Sequence, residues 1–122
     1  MDAQTGTNIV SSVMLKTDTT VFALYAATKT AIRSMTRTVA CEWGRDGIRV
    51  NALSPQMDSP AWSACSAANP GLAAKILAEI PAGHVGDAER DVGPVAVFLA
   101  SDAARYVTGS LVLADGGRGQ LR

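Results

Sequence analysis

The stretch ALYAATKTAIRSMTRTVACEW, residues 23–43, decides the fold class of this chain. Its apolar residues recur at steps of three and four positions, and no glycine or proline interrupts it before Gly44. This spacing is that of an amphipathic α-helix. The recurring positions are Leu24, Ala27, Ala31, Ile32, Met35, Val39 and Trp43. The sequence therefore predicts one long helix from Ala23 to about Trp43.

Short apolar segments flank this helix on both sides. Residues 7–13 (TNIVSSV) lie between Gly6 and the polar residues 16–20, and residues 48–54 (IRVNALS) follow the turn GRDG at 44–47. Short β-branched runs that are bounded by turn residues predict buried strands. Strand, helix and strand together form a βαβ unit, with parallel strands and a right-handed crossover.

The remainder of the chain adds short helices and a third strand. Residues 55–71 are rich in proline, serine and alanine and predict a loop with a short helix, while residues 71–79 add one or two further turns. Residues 91–104 have a helical pattern that tolerates Pro94 in its first turn. Residues 109–117 predict the third strand and a glycine turn.

Composition limits the class of protein. The chain has 122 residues, which is enough for one domain with one core. Its 11 basic and 11 acidic residues give a formal net charge of zero, which argues against nucleic acid or an anionic membrane as the main partner. Apolar residues make up 48% and aromatic residues only 5%, so the core must consist mostly of small and β-branched residues. Such cores suit helices packed on a parallel sheet.

The sequence has no pattern typical of a membrane span, a secretory signal, a metal site or a disulfide framework. No apolar run approaches the roughly 20 residues of a membrane span, and the N-terminus has no secretory pattern, so we expect a soluble, cytoplasmic protein. Cys41 and Cys65 belong to no C-x-x-C motif and His84 is far from both, so neither a metal site nor a structural disulfide is expected. Cys41 is expected to be buried in the long helix, and His84 to be exposed.

Tyr25 and Lys29 are the first candidates for chemistry. They are four residues apart at the start of the predicted helix, so their side chains share one helix face. A free phenol has a pKa of about 10, and a neighbouring ammonium favours the phenolate. A phenol in this setting can protonate a nascent alkoxide or accept the proton of an alcohol. The alternative is a surface pair that stabilises the helix by a few tenths of a kcal/mol.

The motifs resemble those of the short-chain dehydrogenase/reductases, nicotinamide-dependent oxidoreductases with a Rossmann-like parallel sheet flanked by helices. Tyr25 and Lys29 match the family's Tyr-x-x-x-Lys, and Ser12, thirteen residues before the tyrosine, matches its serine. GIRVNALSP at 47–55 resembles G-I-R-V-N-x-[IV]-x-P, and residues 81–117 follow a closing pattern that ends in T-G-x-x-x-x-x-D-G-G. Ordered matches along the whole chain make the resemblance specific.

This resemblance implies a reaction and a role for each matched residue. Tyr25 would be the acid–base, Lys29 would tune it and bind the ribose hydroxyls of the cofactor, and Ser12 would donate a hydrogen bond to the substrate oxygen. The reaction would be reversible hydride transfer between NAD or NADP and a small-molecule carbonyl or secondary alcohol. Within the family, the sequence most resembles members of the 3-oxoacyl-carrier-protein reductase type and small alcohol dehydrogenases. Asn51 is expected to satisfy backbone groups.

One loop departs from the family pattern. The family's P-G-x-[IV]-x-T, which contacts the nicotinamide carboxamide, is replaced by PQMDS at 55–59, which is one residue shorter and lacks the glycine. Met57 and Ser59 are the candidates for its aliphatic and hydroxyl positions, and the alternative is that they are ordinary loop residues. Loss of the glycine hinders a close approach of the backbone to the nicotinamide. The implied cofactor-binding residues are Tyr25, Lys29, Pro55, Met57 and Ser59.

The family's Gly-rich dinucleotide motif has no counterpart in the sequence. Gly116-Gly117-Arg118-Gly119 follows the last predicted strand and leaves too little chain for a helix. We therefore interpret residues 1–122 as a single domain that is the C-terminal, catalytic half of a doubly wound fold, without the N-terminal cofactor half. The alternative function is a non-catalytic remnant that oligomerises or docks on a full-length relative. The first strand would then be an open edge, which favours a homo-oligomer or an edge-strand dimer.

Overall fold

The computed structural model describes residues 5–9, by their backbone only, and residues 23–119. Its strands are β1 (Thr5–Ile9), β2 (Arg49–Pro55) and β3 (Leu111–Ala114). Its α-helices are α1 (Ala23–Trp43), α2 (Pro60–Ala68), α3 (Pro70–Ala78) and α4 (Gly93–Ala100). A π-helical turn at Ala88–Val92 leads into α4, and 3₁₀ turns occupy Gly44–Asp46 and Asp102–Ala104.

The three strands form one parallel sheet in the order β1-β2-β3. Ile9 of β1 is opposite Leu53 of β2, and Ala52 of β2 is opposite Leu111 of β3. The predictions of a βαβ unit and of an α/β fold with a parallel sheet are confirmed. Because the strands are parallel, their carboxyl ends meet at one edge of the sheet, which we call the carboxyl edge.

The strand bounds differ slightly from those predicted. β1 begins at Thr5, two residues before the predicted start, and residues 10–13 of the predicted strand lie outside the described residues. β3 ends at Ala114 because Asp115 closes a turn: its carboxylate accepts hydrogen bonds from the amides of Gly117 and Gly119, at 3.0 and 2.8 Å.

Helix α1 has the predicted bounds, but its buried face only partly overlaps the predicted apolar stripe, of which Ile32 and Val39 are half-buried. Thr36 and Ala40 are its buried residues, whereas Met35, a member of the predicted apolar stripe, is 63% exposed. Small side chains allow the helix to lie close to the sheet, and a Cβ added at Gly109 would be 3.4 Å from the Cβ of Ala40. The prediction that Cys41 is buried was wrong, because it lies beside this narrow contact line and is exposed.

The single helix predicted over residues 91–104 is divided in the structure. Asp87 caps the π-helical turn, because its Oδ1 accepts hydrogen bonds from the amides of Glu89 and Arg90, at 2.9 and 2.7 Å. Ser101, at φ −92° and ψ 168°, has an extended backbone and therefore ends α4. Leu99 of α4 is fully buried in the apolar core, which also contains Leu53 and Val92.

Two buried polar side chains join β2 to the segment that follows α4. Arg49 donates hydrogen bonds to the carbonyl oxygens of Leu99 and Ser101, at 2.9 and 3.1 Å. Asn51 donates to the carbonyl of Val107 at 2.9 Å, and its Oδ1 accepts from the amide of Ser110 at 3.1 Å. The prediction that Asn51 satisfies backbone groups is confirmed.

Within the described part of the chain, no helix combines the length and the apolar character that crossing a bilayer demands.

Candidate active site

The first turns of α1 lie toward the carboxyl edge of the sheet. Helix α1 packs on β2, and the chain reverses between them through the 3₁₀ turn and Gly47, which has a φ of +77°. The 21 residues of α1 span about 31 Å, whereas the seven of β2 span about 23 Å. Because α1 ends beside the start of β2, its beginning extends to the opposite edge, where parallel sheets bind ligands.

Tyr25 and Lys29 come together on this part of α1. The Nζ atom of Lys29 lies 5.6 Å from the centroid of the Tyr25 ring, which is a cation–π arrangement. Tyr25 is 41% exposed and Lys29 is half-buried, so the pair is open to a ligand. The prediction that the two side chains share one helix face is confirmed.

Ser12, the third residue of the predicted catalytic set, lies outside the described residues. Its proximity to Tyr25 stays a prediction. The structure nevertheless shows that β1 runs parallel to β2, so the chain leaves β1 at the same edge at which α1 begins.

The other three predicted residues lie at the end of β2 and in the loop that follows it. Pro55 is the last residue of β2 and is half-buried. Met57 packs against the apolar core and forms an isolated parallel bridge with Gly86. Ser59 is the N-cap of α2, because its Oγ accepts a hydrogen bond of 3.1 Å from the amide of Trp62. This contact uses an oxygen lone pair and not the hydroxyl proton of Ser59, so the hydroxyl can still donate to a ligand.

Gln56 directly follows Pro55 in the loop that lacks the family's glycine, and both its backbone amide and its carbonyl are hydrogen-bonded. Its amide donates to the carbonyl of Ala114 at 2.9 Å, and its carbonyl accepts from the amide of Gly86 at 3.1 Å. Its side-chain Oε1 accepts a hydrogen bond of 2.7 Å from Arg118. Sequence reasoning did not find this contact, because 62 positions separate the two residues and no local pattern relates them.

A cavity of about 360 Å³ lies beside this loop, where β2 and β3 end. His84 and Asp91 stand on its wall, with 3.9 Å between Nε2 of the histidine and Oδ2 of the aspartate. Nδ1 of His84 is 3.0 Å from the carbonyl oxygen of Ala82, which can only accept, so Nδ1 carries the proton in this hydrogen bond. The prediction that His84 is exposed is confirmed. Other lining residues are Gln56, Gly86, Asp115 and Gly116.

Two of the described residues have donor groups that suit one end of a nicotinamide cofactor. Lys29 offers an ammonium donor and Ser59 a hydroxyl donor, which are groups that ribose and carboxamide oxygens accept from. Within residues 5–9 and 23–119, no glycine turn joins a strand to a following helix, as the pyrophosphate of a dinucleotide requires. The fit therefore concerns the nicotinamide and its ribose alone.

A family model agrees with the motif pattern. The model described as Enoyl-(Acyl carrier protein) reductase matches residues 1–118. Among curated proteins, 3beta-hydroxysteroid dehydrogenase 1 of Eggerthella lenta is 44% identical over 96 residues, which are 79% of this chain and 36% of that protein. A tropinone reductase homolog of Arabidopsis thaliana is 36% identical over 94 residues, which are 77% of this chain and 36% of that protein.

Solved structures share the fold. A protein of Beutenbergia cavernae, provisionally named an NAD(P)-dependent gluconate 5-dehydrogenase and solved with NADP at low occupancy, has a TM-score of 0.84 and 43% identity. The match covers 93% of this chain and 45% of that one. A short-chain type dehydrogenase/reductase of Mycobacterium ulcerans has a TM-score of 0.85 and 30% identity, over 94% of this chain and 41% of that one. The chain thus spans less than half the length of these relatives.

Proposed function

This chain belongs to the short-chain dehydrogenase/reductase family, and on that premise we propose that it carries the proton-transfer site of an NAD(P)(H)-dependent oxidoreductase. The reaction is reversible hydride transfer between a nicotinamide and a small-molecule carbonyl or secondary alcohol. The observation that carries the proposal is the position of the Lys29 ammonium, 5.6 Å above the ring of Tyr25, on the helix that begins at the carboxyl edge.

In this proposal Tyr25 moves the proton. During reduction its hydroxyl donates a proton to the oxygen of the carbonyl, and during oxidation its phenolate takes the proton of the alcohol. When bound, the nicotinamide supplies or accepts the hydride. Lys29 places a positive charge over the ring that becomes anionic when the proton leaves. Ser12 donates a hydrogen bond to the same substrate oxygen and thereby orients it.

Residues of α1 and of the loop after β2 hold the cofactor in this proposal. Lys29 binds ribose hydroxyls, and Ser59 donates its free hydroxyl proton to the carboxamide. Pro55 and Met57 determine the path of the loop. Pro55 is the last residue of β2, and Met57 packs against the apolar core. Either NAD or NADP fits this part of the site, since neither the nicotinamide nor its ribose distinguishes the two.

Cofactor titration tests this proposal. The purified chain is titrated with NADH and NADPH while the nicotinamide fluorescence is followed. Binding that is lost in Lys29→Ala but retained in Lys75→Ala, an exposed lysine of α3, is the expected result. Absence of any binding at millimolar cofactor would contradict the proposal for the isolated chain.

Exposed apolar side chains favour a second candidate function, a non-catalytic chain that oligomerises or docks on a full-length relative. On α1, Leu24 is 80% exposed and Trp43 is 46% exposed. In the described sheet β1 is an outer strand, and an open strand edge pairs readily with another chain. Light scattering at micromolar concentration tests self-association, and a clean monomer would contradict a homo-oligomer or an edge-strand dimer.

We also place the protein in the cytoplasm and treat residues 1–122 as a single domain, the catalytic half of the family's fold. Cell fractionation of the tagged chain tests the location, and recovery in the membrane pellet would contradict it. Calorimetry tests the domain assignment, for which one cooperative unfolding transition is expected.

A further inference from the structure

Three side chains from distant parts of the sequence form a hydrogen-bonded cluster between the loop that follows β2, the end of α3 and the turn after β3. Arg118 donates from Nη1 to Oε1 of Gln56 at 2.7 Å, and from Nη2 and Nε to Oε2 of Glu79 at 3.0 and 3.2 Å. The side chains of Arg118 and Glu79 are 11% and 28% exposed, so these charge-assisted bonds are largely shielded from water. We call this cluster the Arg118 tie.

The segment that the tie anchors has little other support. None of the residues of α2 or α3 is buried, although the structure describes all of them. The segment is held at its two ends instead. At the first end Ser59 caps α2 and Asp58 accepts a hydrogen bond of 2.9 Å from Ser63. At the second end Glu79 is the C-cap of α3 and is bound by Arg118, and the adjacent Ile80 is 3% exposed.

Arg118 itself lies in a hydrogen-bonded turn. Asp115 is 4% exposed, and its carbonyl oxygen accepts a hydrogen bond of 3.2 Å from the amide of Arg118. Gly116, two residues before Arg118, has a φ of +63° and lies against the buried side chain of Ile80. Ile80 directly follows Glu79 in the sequence. The guanidinium therefore projects from a fixed point at the end of β3 toward the ends of α3 and β2.

We propose that Arg118 is a positioning residue that fixes the α2–α3 segment and the loop after β2 against the carboxyl edge. Gln56 takes part in the tie through its side chain, whose Oε1 accepts a hydrogen bond of 2.7 Å from the guanidinium. This contact joins the loop after β2 to the turn that follows β3. The consequence for cofactor binding rests on the proposed function, whereas the positioning itself does not.

Hydrogen–deuterium exchange of the 122-residue chain, without cofactor, tests the positioning. In Arg118→Met the amides of residues 60–80 should exchange roughly tenfold faster, because the segment opens locally when its second end is released. The amides of α1, β2 and α4 should keep their rates. Arg105→Met removes an exposed arginine and is the matched control, for which no change at residues 60–80 is expected.

Two further variants separate positioning from general stability. Gln56→Ala leaves the bonds between Arg118 and Glu79 in place, so faster exchange should be confined to residues 56–63. Arg118→Lys keeps the charge but not the planar fork, so it should restore part of the protection. Unchanged exchange at residues 60–80 in Arg118→Met, or an equal increase in α2, α3 and α4, would overturn the proposal.

A cofactor arm distinguishes this inference from the proposed function. If the cofactor binds, Arg118→Met should weaken NADPH binding several-fold, whereas Arg105→Met should not. An unchanged affinity in Arg118→Met would limit the tie to fixing the segment and overturn its link to the cofactor. If the wild-type chain binds no cofactor, the proposed function fails, and the exchange rates measured without cofactor still decide whether Arg118 positions the segment.

Discussion

Arg49 lies at the carboxyl end of α4, where its Nη1 donates a hydrogen bond of 2.9 Å to the carbonyl oxygen of Leu99. Arg49 is 7% exposed and Leu99 is fully buried, so a positive charge faces the negative end of a helix dipole in the protein interior. This contact attaches β2 to α4 and explains why an arginine begins a buried strand.

Arg49→Met should therefore destabilise the fold. The buried carbonyl acceptors lose a charged donor, and we expect the free energy of unfolding to fall by about 3 kcal/mol in urea titrations. Arg45→Met, at an exposed arginine in the 3₁₀ turn after α1, should change it by less than about 0.5 kcal/mol. If the two variants lowered the free energy of unfolding equally, the contact between Arg49 and Leu99 would not contribute to stability.

Gly116 lies in the turn after β3, and substitution of Gly83 provides a matched control for substitution of Gly116. Both have a positive φ, +63° and +79°, but only at Gly116 does an added Cβ meet other atoms, at 2.7 Å from Cγ2 of Ile80. Alanine at either site has a left-handed backbone cost of about 1 kcal/mol. Gly116→Ala should cost at least roughly 1 kcal/mol more than Gly83→Ala in thermal unfolding, because it also overpacks the site.

The contact of α1 with the sheet should be sensitive to the size of residue 40. Ala40 is 4% exposed and lies near Gly109, so Ala40→Leu overpacks the interface and should lower the free energy of unfolding by about 1–3 kcal/mol. Ala31→Leu, on an exposed part of the same helix, is the control and should be nearly neutral. The measurement is equilibrium unfolding followed by circular dichroism.

Tyr25→Phe should impair proton transfer without preventing folding. Tyr25 is 41% exposed, so the variant should remain folded, which its unfolding temperature checks. Loss of the proton donor should slow carbonyl reduction by roughly a hundredfold to ten-thousandfold, measured as NADPH oxidation with a panel of ketones and aldehydes. A variant as active as the wild type would remove Tyr25 from the mechanism.

Self-association should depend on the exposed apolar side chains of α1. Met35 is 63% exposed, so Met35→Glu should reduce association in sedimentation velocity experiments without lowering stability. Thr38→Glu adds the same charge at an exposed polar position of this helix and should have the smaller effect. If both variants associate like the wild type, α1 is not the contact surface.

Local patterns were sufficient for part of this structure. The bounds of α1 follow from its periodicity and from the glycine that ends it, because both signals lie within the helix itself. The shared face of Tyr25 and Lys29 follows from their spacing alone, since residues i and i+4 are neighbours on any helix. The ordered matches to family motifs also predicted the parallel sheet and the family to which the chain belongs.

Tertiary structure decided what depends on residues far apart in the chain. The burial of Thr36 and the exposure of Met35 were set by which surface of α1 meets β2, and periodicity does not reveal the partner surface. The division of residues 91–104 arose from a cap and an extended serine that a helical pattern cannot show. The Arg118 tie joins positions 39 and 62 residues apart, and only folding brings such groups to one point. Sequence thus determines local periodicity and chemical type, whereas packing selects the buried faces and the long-range contacts.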